Sequence, residues 1–362
     1  MLKRITVLFI VMIIVGCSSA QQEQDNVDSE KTVNSNIQVL NEEILGENLE
    51  IPWSITKASD TFYITERGGS IVRVSNGQVD RESVNLSEPV LSIGEGGLLG
   101  LELHHDFENN KLAFIYHTYG TEKDVKNRVV LVEKTENGWQ ERNVLLDNIK
   151  GARIHNGGRM KIGADNKLYV TTGDASDTSL SQERDDLAGC ILRMNLDGSV
   201  PNDNPFPSSY VYSYGHRNPQ GLAWDVSNNI MYASEHGPSG RDEINIIEAG
   251  KNYGWPIITG DEEQESMVSP LFHSGSDTWA PSGMAYRDGV LYVAGLRGNN
   301  VYAFDLEKKT VHELWNGVGR IRDIRLSEKG LYIITNNTDG RGVLSPGDDK
   351  LIHLELVKST ES

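Results

Sequence analysis

One histidine lies in a segment whose composition suits proton transfer. Residues 154–159 read IHNGGR, with His155 in second place. An imidazole is the side chain best suited to proton transfer near neutral pH, and the neighbouring glycines allow other groups to approach closely. The alternative is a purely structural histidine, because the chain has several others and none has the HxxxH-type spacing of a zinc site. The sequence indicates His155 as the candidate proton acceptor.

Four arginines form the second group of candidate residues. They are Arg217, Arg297, Arg320 and Arg322. Arginines gathered in one place repel each other unless something anionic binds there, and a guanidinium matches a carboxylate through paired hydrogen bonds. The alternative is that they form structural ion pairs with Glu95, Asp242 and Asp323.

The third group is a dense polar segment at residues 235–243, which read EHGPSGRDE. Gly237-Pro238 exposes carbonyl groups that no strand can use, because proline lacks an N–H. Carbonyl oxygens beside carboxylates are the hard donors that Ca²⁺ prefers. A tight turn flanked by acids has the same composition, so the segment by itself leaves both interpretations open.

A repeated strand pattern must position these groups. One short pattern has a tyrosine or phenylalanine between apolar residues and leads into a polar or glycine turn. It occurs six times, at 62–65, 112–116, 168–171, 231–234, 291–294 and 331–334. A β-rich run follows each copy, at 71–74, 128–133, 191–195, 243–247, 300–304 and 350–356. Another precedes each copy, at 53–56, 98–103, 158–162, 221–224, 283–286 and 321–326.

This pattern predicts an all-β fold, a six-bladed β-propeller of four-stranded antiparallel blades. Fourth strands are visible at 141–146, 210–214 and 311–315, and residues 37–45 are expected to complete the sixth blade and close the ring. Two β-sandwich domains are the alternative, but they would not give one pattern six times.

The blade pattern predicts that the candidate residues share one face. In a four-stranded blade, the loop that leads into the first, innermost strand and the loop that follows the second strand lie on the same face. The first set contains Glu95, His155, Arg217, Asn218, Arg320 and Arg322, and the second contains Asp174, Gly237, Pro238, Asp242 and Arg297. Loops on a rigid scaffold commonly carry function.

The ends and the composition of the chain predict where it works. Residues 1–16 have a basic start and a short apolar run, as in an export signal, and Cys17 follows a lipobox-like sequence. We therefore expect a signal peptide at 1–16, a polar tether from lipidated Cys17 at 17–36 and the propeller at 37–358. The protein would be exported and lipid-anchored to the outer face of the bacterial cytoplasmic membrane in the cell envelope. A plain secretory signal is the alternative.

The charge and the cysteines exclude other classes. The 362 residues carry a formal net charge of -18, and no basic stretch appears, which argues against a nucleic-acid partner. Hydrophobic residues make up 38%, enough for a packed core and too few for a polytopic membrane protein. If Cys17 is lipidated, Cys190 has no partner for a disulfide and is expected to be a buried thiol.

Six motifs in order resemble the soluble aldose dehydrogenases that depend on pyrroloquinoline quinone (PQQ), the glucose/sorbosone dehydrogenase family. The motifs are GEGGLLG at 94–100, HNGGR at 155–159, GHRNPQGL at 215–222, EHGP at 235–238, DEIN at 242–245 with NYGWP at 252–256, and RIRD at 320–323. The resemblance runs from about Pro52 to Leu356. It implies an enzyme that oxidises the anomeric carbon of aldoses to lactones, with PQQ and Ca²⁺ as cofactors and an electron acceptor of unidentified nature.

The resemblance also implies a role for each matching residue. His155 would be the general base, and the PQQ contacts would be Glu95, Arg217, Asn218, Asp242, Arg297, Arg320 and Arg322. The carbonyls of Gly237 and Pro238 would hold the Ca²⁺ that polarises the quinone. Glu243 and the carbonyl of Tyr253 would hold a second, structural Ca²⁺.

Two positions depart from the family pattern. Glu95 stands where some relatives have glutamine, and its carboxylate would repel an anionic cofactor unless an arginine or metal binds it. Arg297 stands where a lysine is common. Residues 256–281, which correspond to part of the sugar cleft in relatives, are short and acidic, so no particular sugar is expected. Two other functions stay open, a non-catalytic lipoprotein that binds the cofactor or a sugar, and a metal-dependent propeller lactonase.

Overall fold

The computed structural model describes residues 37–358. The predicted signal peptide at 1–16 and tether at 17–36 lie outside the described residues and stay predictions. Within residues 37–358, no helix is long and apolar enough to cross a membrane. The described helices are α1 at Phe107–Asn110 and a 3-10 helix at Thr178–Gln182.

Nearly all regular structure is β-strand. The strands, in chain order, are β1 Ile37–Gly46, β2 Pro52–Ala58, β3 Thr61–Glu66, β4 Ser70–Ser75, β5 Gln78–Asn85, β6 Leu98–Leu103, β7 Leu112–Thr121, β8 Asp124–Thr135, β9 Gly138–Lys150, β10 Met160–Ile162, β11 Leu168–Thr171, β12 Cys190–Met194, β13 Val211–Tyr214, β14 Pro219–Asp225, β15 Ile230–Glu235, β16 Glu243–Ile247, β17 Phe272–His273, β18 Pro281–Arg287, β19 Val290–Gly295, β20 Asn300–Asp305, β21 Thr310–Asn316, β22 Ile321–Leu326, β23 Gly330–Thr335 and β24 Leu351–Lys358.

These strands form antiparallel groups of four. Three sheets run in chain order, β10 to β13, β14 to β17 and β18 to β21, and a fourth has the order β1-β24-β23-β22. The fifth sheet has eight strands in the order β2-β3-β4-β5-β9-β8-β7-β6. It consists of two groups of four that meet through a parallel contact, Val84 opposite Trp139. The N-terminal strand β1 therefore pairs with the C-terminal strand β24, as predicted.

Two strands were missed by the sequence pattern. Strand β5 is mostly exposed, and only two of its residues are apolar, so it lacks a hydrophobic alternation. Strand β17 has two residues, Phe272 and His273, paired with β16. Both are last in their groups of four, and an outer strand buries little side-chain surface, which leaves a weak signal in the sequence.

Neighbouring groups pack through apolar faces. One cluster joins β14 and β15 to the next group through Ala223, Tyr232, Met284, Leu291 and Phe304, all buried. Burying a large apolar side chain stabilises the fold by about 1.5–3 kcal/mol. Cys190 is a free thiol within another buried cluster, as expected.

A buried ionic network links the innermost strands. Asp323 Oδ2 accepts hydrogen bonds from the backbone N–H of Ile55 and from Arg159 Nη1, both at 2.8 Å. The Arg159 guanidinium also lies 4.2 Å from the centre of the Trp53 ring. A Cβ on Gly283 would collide with the Asp323 carboxylate, so only glycine fits there. This network ties β2, β18 and β22 to the segment that carries His155.

Candidate active site

The predicted loops meet on one face. The backbone N–H of Asp174, after β11, donates to the carbonyl of Arg217, before β14, at 2.8 Å. Arg217 Nη1 donates to the carbonyl of His236, after β15, at 3.2 Å. Glu95, before β6, donates its N–H to the carbonyl of Arg153 in the His155 loop. These contacts join loops from three groups of strands, β6–β9, β10–β13 and β14–β17.

His155 is held against a buried carboxylate. Its Nδ1 lies 2.7 Å from Asp174 Oδ1, and its side chain is 13% exposed while that of Asp174 is fully buried. A carboxylate accepts hydrogen bonds, so Nδ1 carries the proton and the lone pair of Nε2 is left for another group. The backbone of His155 has a positive φ of 59°. This conformation turns the loop sharply at the candidate base.

Asp174 has a second partner that the sequence did not indicate. Its Oδ2 accepts a hydrogen bond from the indole Nε1–H of Trp255 at 2.9 Å, and its Oδ1 also accepts one from the backbone N–H of Ser176 at 2.8 Å. Trp255 comes from the loop that follows β16, eighty-one positions away along the chain. Both oxygens of the buried carboxylate are thereby oriented.

Glu95 is neutralised by an arginine. Its Oε1 lies 3.0 Å from Arg341 Nη1, and its Oε2 accepts the backbone N–H of His155 at 3.3 Å. Burial acts to raise the pKa of Glu95, but the charges of His236 and Arg341 together with these hydrogen bonds lower it below its usual value. The carboxylate is therefore ionised and paired, which accounts for its presence beside arginines.

Arg217 and Asn218 are fixed by Glu235. The Glu235 carboxylate accepts the backbone N–H groups of Arg217 and Asn218 and the Nδ1–H of His216, the last at 2.8 Å. The guanidinium of Arg217 lies 5.3 Å from the centre of the Trp255 ring, and its buried Nε has no hydrogen-bond partner in the described part of the chain. Burial lowers the pKa of Arg217, although four nearby carboxylates oppose the shift. A buried N–H without a partner can donate a hydrogen bond to a bound acceptor.

Arg320 and Arg322 are both buried and differ in their partners. Arg320 pairs with Asp339 at 3.0 Å and donates to the carbonyl of Leu296. Arg322 donates to the amide oxygens of Asn336 and Gln220 and has no carboxylate partner within the described residues. Burial lowers the pKa of Arg322 to about 9; the nearby charge of Asp339 opposes this shift, and the charges of Arg320 and Arg67 add to it.

The alternative prediction was that the four arginines form structural ion pairs with Glu95, Asp242 and Asp323. Among the described residues, Arg320 alone of the four forms an ion pair, and its partner is Asp339. Glu95 pairs with Arg341 and Asp323 with Arg159. Arg217, Arg297 and Arg322 make no ion pair among residues 37–358. Arg297 is exposed after β19, and among residues 37–358 it makes no side-chain hydrogen bond to another candidate residue. Half-buried Arg217 and buried Arg322 therefore bring to the site positive charge that no carboxylate within residues 37–358 pairs.

Asp242 organises the Gly-Pro turn. Its Oδ1 accepts the N–H of Gly237, and its Oδ2 accepts the N–H groups of Trp279 and Ala280, all at 2.7–2.9 Å. A Cβ on Gly237 would overlap the backbone of residues 240 and 241, so the turn requires glycine. Among the described groups, none donates to the carbonyls of Gly237 and Pro238. Both carbonyl oxygens remain available to a cation.

Glu243 and Tyr253 line one cavity together with Glu235, Gly237 and Pro238. Burial and the charge of Glu235 raise the pKa of Glu243 to about 7. The side chain of Asn245, next on the same face of β16, donates to Glu243 while its buried Oδ1 has no partner. The part of the chain from 37 to 358 holds no cluster of three or more His, Cys, Asp or Glu side chains arranged for a metal. A cation here would need carbonyl and amide oxygens in addition to the Glu243 carboxylate.

Sequence reasoning did not assign roles to several residues of this site. Trp255 belongs to the NYGWP motif, and Asp174 follows a second strand on the predicted face, so both had a weak signal. Arg341 and Asn336 lie in the loop between β23 and β24 and belong to none of the motifs. Only the fold brings them beside Glu95 and Arg322.

Similarity to known proteins identifies the family of this chain. The sequence profile of the Glucose / Sorbosone dehydrogenase family matches residues 49–345. The aldose sugar dehydrogenase YliI of Escherichia coli is 30% identical, over 83% of this chain and 91% of its own length. The quinoprotein glucose dehydrogenase B of Acinetobacter calcoaceticus is 34% identical over 61% of this chain and 53% of its own. The PQQ-bound aldose sugar dehydrogenase of Streptomyces coelicolor superposes with a TM-score of 0.82 at 35% identity, covering 88% of this chain and 98% of that one. The chain therefore belongs to the glucose/sorbosone dehydrogenase family.

Proposed function

We propose that this protein is a PQQ-dependent aldose sugar dehydrogenase that oxidises the anomeric carbon of its substrate to a lactone. The observation that carries the proposal is the His155–Asp174 pair beside half-buried Arg217 and buried Arg322, neither of which has a carboxylate partner within residues 37–358. A proton acceptor next to an anion site is what oxidation of a sugar by an anionic cofactor requires. The aldose sugar dehydrogenases of E. coli and S. coelicolor support the same activity.

The arginines fit PQQ, a cofactor with three carboxylates. The buried Nε of Arg217 lacks an acceptor, and Arg322 donates only to amide oxygens. Arg320 is already paired with Asp339, so its donors are partly committed. In this assignment Arg217, Asn218, Arg320 and Arg322 hold the carboxylates, and Arg297 lies at the exposed rim. Bound PQQ would supply the acceptor for the two electrons and the hydrogen that leave the sugar carbon.

His155 takes the proton in this proposal. Nδ1 donates to Asp174, so Nε2 accepts the proton of the anomeric hydroxyl. The buried carboxylate stabilises the imidazolium that forms. The anomeric hydroxyl would lose its proton to His155, and the anomeric C–H would lose its hydrogen with the electron pair to the acceptor. The carbonyl of the lactone would remain. Glu95 holds the His155 backbone and is itself neutralised by Arg341, so it adds no free negative charge.

We assign two calcium ions to the oxygen groups described above. The unbonded carbonyls of Gly237 and Pro238 fit a cation that polarises the cofactor carbonyl, with Asp242 fixing the turn. Glu243, the carbonyl of Tyr253 and the unpartnered Oδ1 of Asn245 fit a structural cation. A positive ion there would offset the repulsion between Glu243 and Glu235.

The proposal extends to the whole fold. Six antiparallel groups of four strands, with β1 completing the group of β22 to β24, support a closed six-bladed β-propeller. Export, lipidation of Cys17 and attachment to the outer face of the bacterial cytoplasmic membrane are proposed from residues 1–36. The partners would be an aldose and an electron acceptor of unidentified nature, with membrane contact through the lipid anchor alone.

The test is an activity assay of the full mature chain with PQQ and Ca²⁺. Aldoses should be oxidised and an artificial electron acceptor reduced, and His155→Ala should lower kcat by about 100-fold or more. The matched control is His105→Ala, an exposed histidine away from this face, which should keep full activity.

The outcomes separate the competing functions. PQQ binding without turnover that depends on His155 would favour the non-catalytic binding protein. No binding of PQQ at micromolar concentration would contradict both the dehydrogenase and the non-catalytic protein that binds the cofactor. It would favour a metal-dependent propeller lactonase.

A further inference from the structure

We propose that Trp255 is a positioning residue, which acts through Asp174 to fix the proton-accepting nitrogen of His155. This inference rests on the proposed function, because it assigns His155 as the base. It concerns a residue for which neither the motifs nor the resemblance supplied a role. The carrying observation is a chain of two hydrogen bonds, Trp255 Nε1 to Asp174 Oδ2 at 2.9 Å and His155 Nδ1 to Asp174 Oδ1 at 2.7 Å.

The two oxygens of Asp174 have unequal support. Oδ1 accepts from His155 and from the backbone N–H of Ser176, whereas Trp255 is the one donor to Oδ2 among the described residues. The carboxylate is fully buried, so leaving this oxygen without a donor costs free energy. Loss of the indole N–H would therefore favour rotation of the carboxylate toward other donors. Such a rotation weakens the bond that keeps the proton on Nδ1 of His155.

The indole is itself rigidly held. The backbone N–H of Trp255 donates to the carbonyl of Gly215 at 2.9 Å, and its carbonyl accepts from Gln182 Nε2 at 2.6 Å. One face of the ring lies against the guanidinium of Arg217, 5.3 Å from the ring centre. Trp255 therefore touches both the pair that would move the proton and the arginine assigned to the cofactor. A fixed donor in this place keeps the imidazole in one tautomer relative to the anion site.

The experiment compares Trp255→Phe with a matched control. Phenylalanine keeps an aromatic ring against Arg217 and removes only the N–H donor. The control is Trp315→Phe, because Trp315, in the outer strand β21, also donates its indole N–H to a carboxylate, that of Glu42 in β1, at 3.0 Å. The first readout is the tautomer of His155, read from ¹⁵N chemical shifts of the ring nitrogens in the full mature chain without PQQ. His155→Gln identifies the resonance.

We expect Nδ1–H to dominate in the wild type and in Trp315→Phe, and a mixture of Nδ1–H and Nε2–H in Trp255→Phe. With PQQ and Ca²⁺ added, kcat of Trp255→Phe should fall about tenfold while KM changes by less than about threefold. A folded Trp255→Phe with the wild-type tautomer would overturn the inference. So would equal effects in the two tryptophan variants.

A second measurement does not depend on that variant folding. In the His155→Gln protein, the indole N–H resonance of Trp255 should shift, and that of Trp315 should stay in place, because the first is coupled to the mutated side chain through Asp174. No shift at Trp255 would contradict the inference. Because the tautomer and the indole resonance are read without cofactor, failure of the proposed enzymatic function would leave these results interpretable.

Discussion

Arg320 and Arg322 stand two positions apart at the start of β22 and are buried to the same degree. The first has the carboxylate of Asp339 as a partner, whereas the second relies on amide oxygens. Burying a charge costs free energy unless a partner of opposite charge compensates it. Arg322 therefore carries a cost in the cofactor-free protein, which a bound anion would offset.

Substitution of these two arginines by glutamine should have different effects on the free energy of unfolding. Arg320→Gln should lower the free energy of unfolding of the cofactor-free protein by about 3 kcal/mol, because it removes the ion-pair partner of the buried Asp339 carboxylate. Arg322→Gln should leave that free energy unchanged or slightly higher and should weaken PQQ binding at least about tenfold. Urea unfolding and PQQ titration measure the two quantities. Equal destabilisation by both changes would contradict this account.

Asp174 gives a second prediction for a single residue. Asp174→Asn keeps the size of the side chain but removes the charge that stabilises a protonated His155, and it allows the amide to donate to Nδ1. We expect kcat to fall by about 100-fold or more with a small change in KM. Steady-state kinetics of the loaded enzyme provide the measurement. The control is Asp288→Asn, at an exposed turn with positive φ that asparagine tolerates.

At the scale of elements, the hairpin of β7 and β8 contains a buried polar pair. His117 stands opposite Arg128 in the strand register, and Arg128 Nε donates to His117 Nε2 at 2.7 Å. Nδ1 of His117 lies 3.2 Å from the carbonyl of Thr118. Burial, and then the charge of Arg128, lower the pKa of His117 to about 4. The neutral imidazole is therefore part of the folded hairpin.

The stability of the protein should fall in mild acid because of this pair. An unfolded histidine has a pKa near 6.5, so between about pH 6.5 and pH 4 the unfolded state binds more protons than the folded state. The contribution of neutral, buried His117 to the free energy of unfolding is complete above pH 6.5. It should decrease by about 2 kcal/mol by pH 5. Urea midpoints at pH 7.5 and 5 test this. His117→Gln should reduce the pH dependence, and the exposed control His105→Gln should keep it.

At the scale of the whole molecule, the two ends of the described chain form one sheet. Strand β1 pairs with β24 from Ile37 opposite Lys358 to Gly46 opposite Leu351. Without β1, the last group would have three strands and would expose the edge of β24. An exposed edge strand is open to pairing with other chains. The pairing of β1 with β24 therefore supports closure of the proposed propeller.

Removal of β1 tests the closure. A chain that begins at Asn48 should melt at least about 10 °C below a chain that begins at Ile37, and it should aggregate more readily. Thermal unfolding followed by circular dichroism, together with light scattering, measures both effects. Equal melting temperatures would show that β1 contributes nothing to closure.

Much of this organisation is visible in the sequence because strands have a local signature. Apolar alternation and turn residues recur six times, and the observed strands β3, β7, β11, β15, β19 and β23 contain the repeated core run. Placement of His155, Arg217 and Gly237 on one face followed from the order of strands within each group. Strands β5 and β17 were missed because outer strands bury too little to impose a hydrophobic pattern.

The sequence alone therefore determined the repeated strand pattern, the face that carries the site and the residue types available there. It did not determine how those residues pair. Arg341 reaches Glu95, Trp255 reaches Asp174 and Asn336 reaches Arg322 only because distant loops converge at one end of the fold. Strand formation depends on neighbours in the chain, whereas ion pairs and hydrogen bonds in a site depend on distances in space. Tertiary structure alone decided which arginines are neutralised and which remain available for an anion.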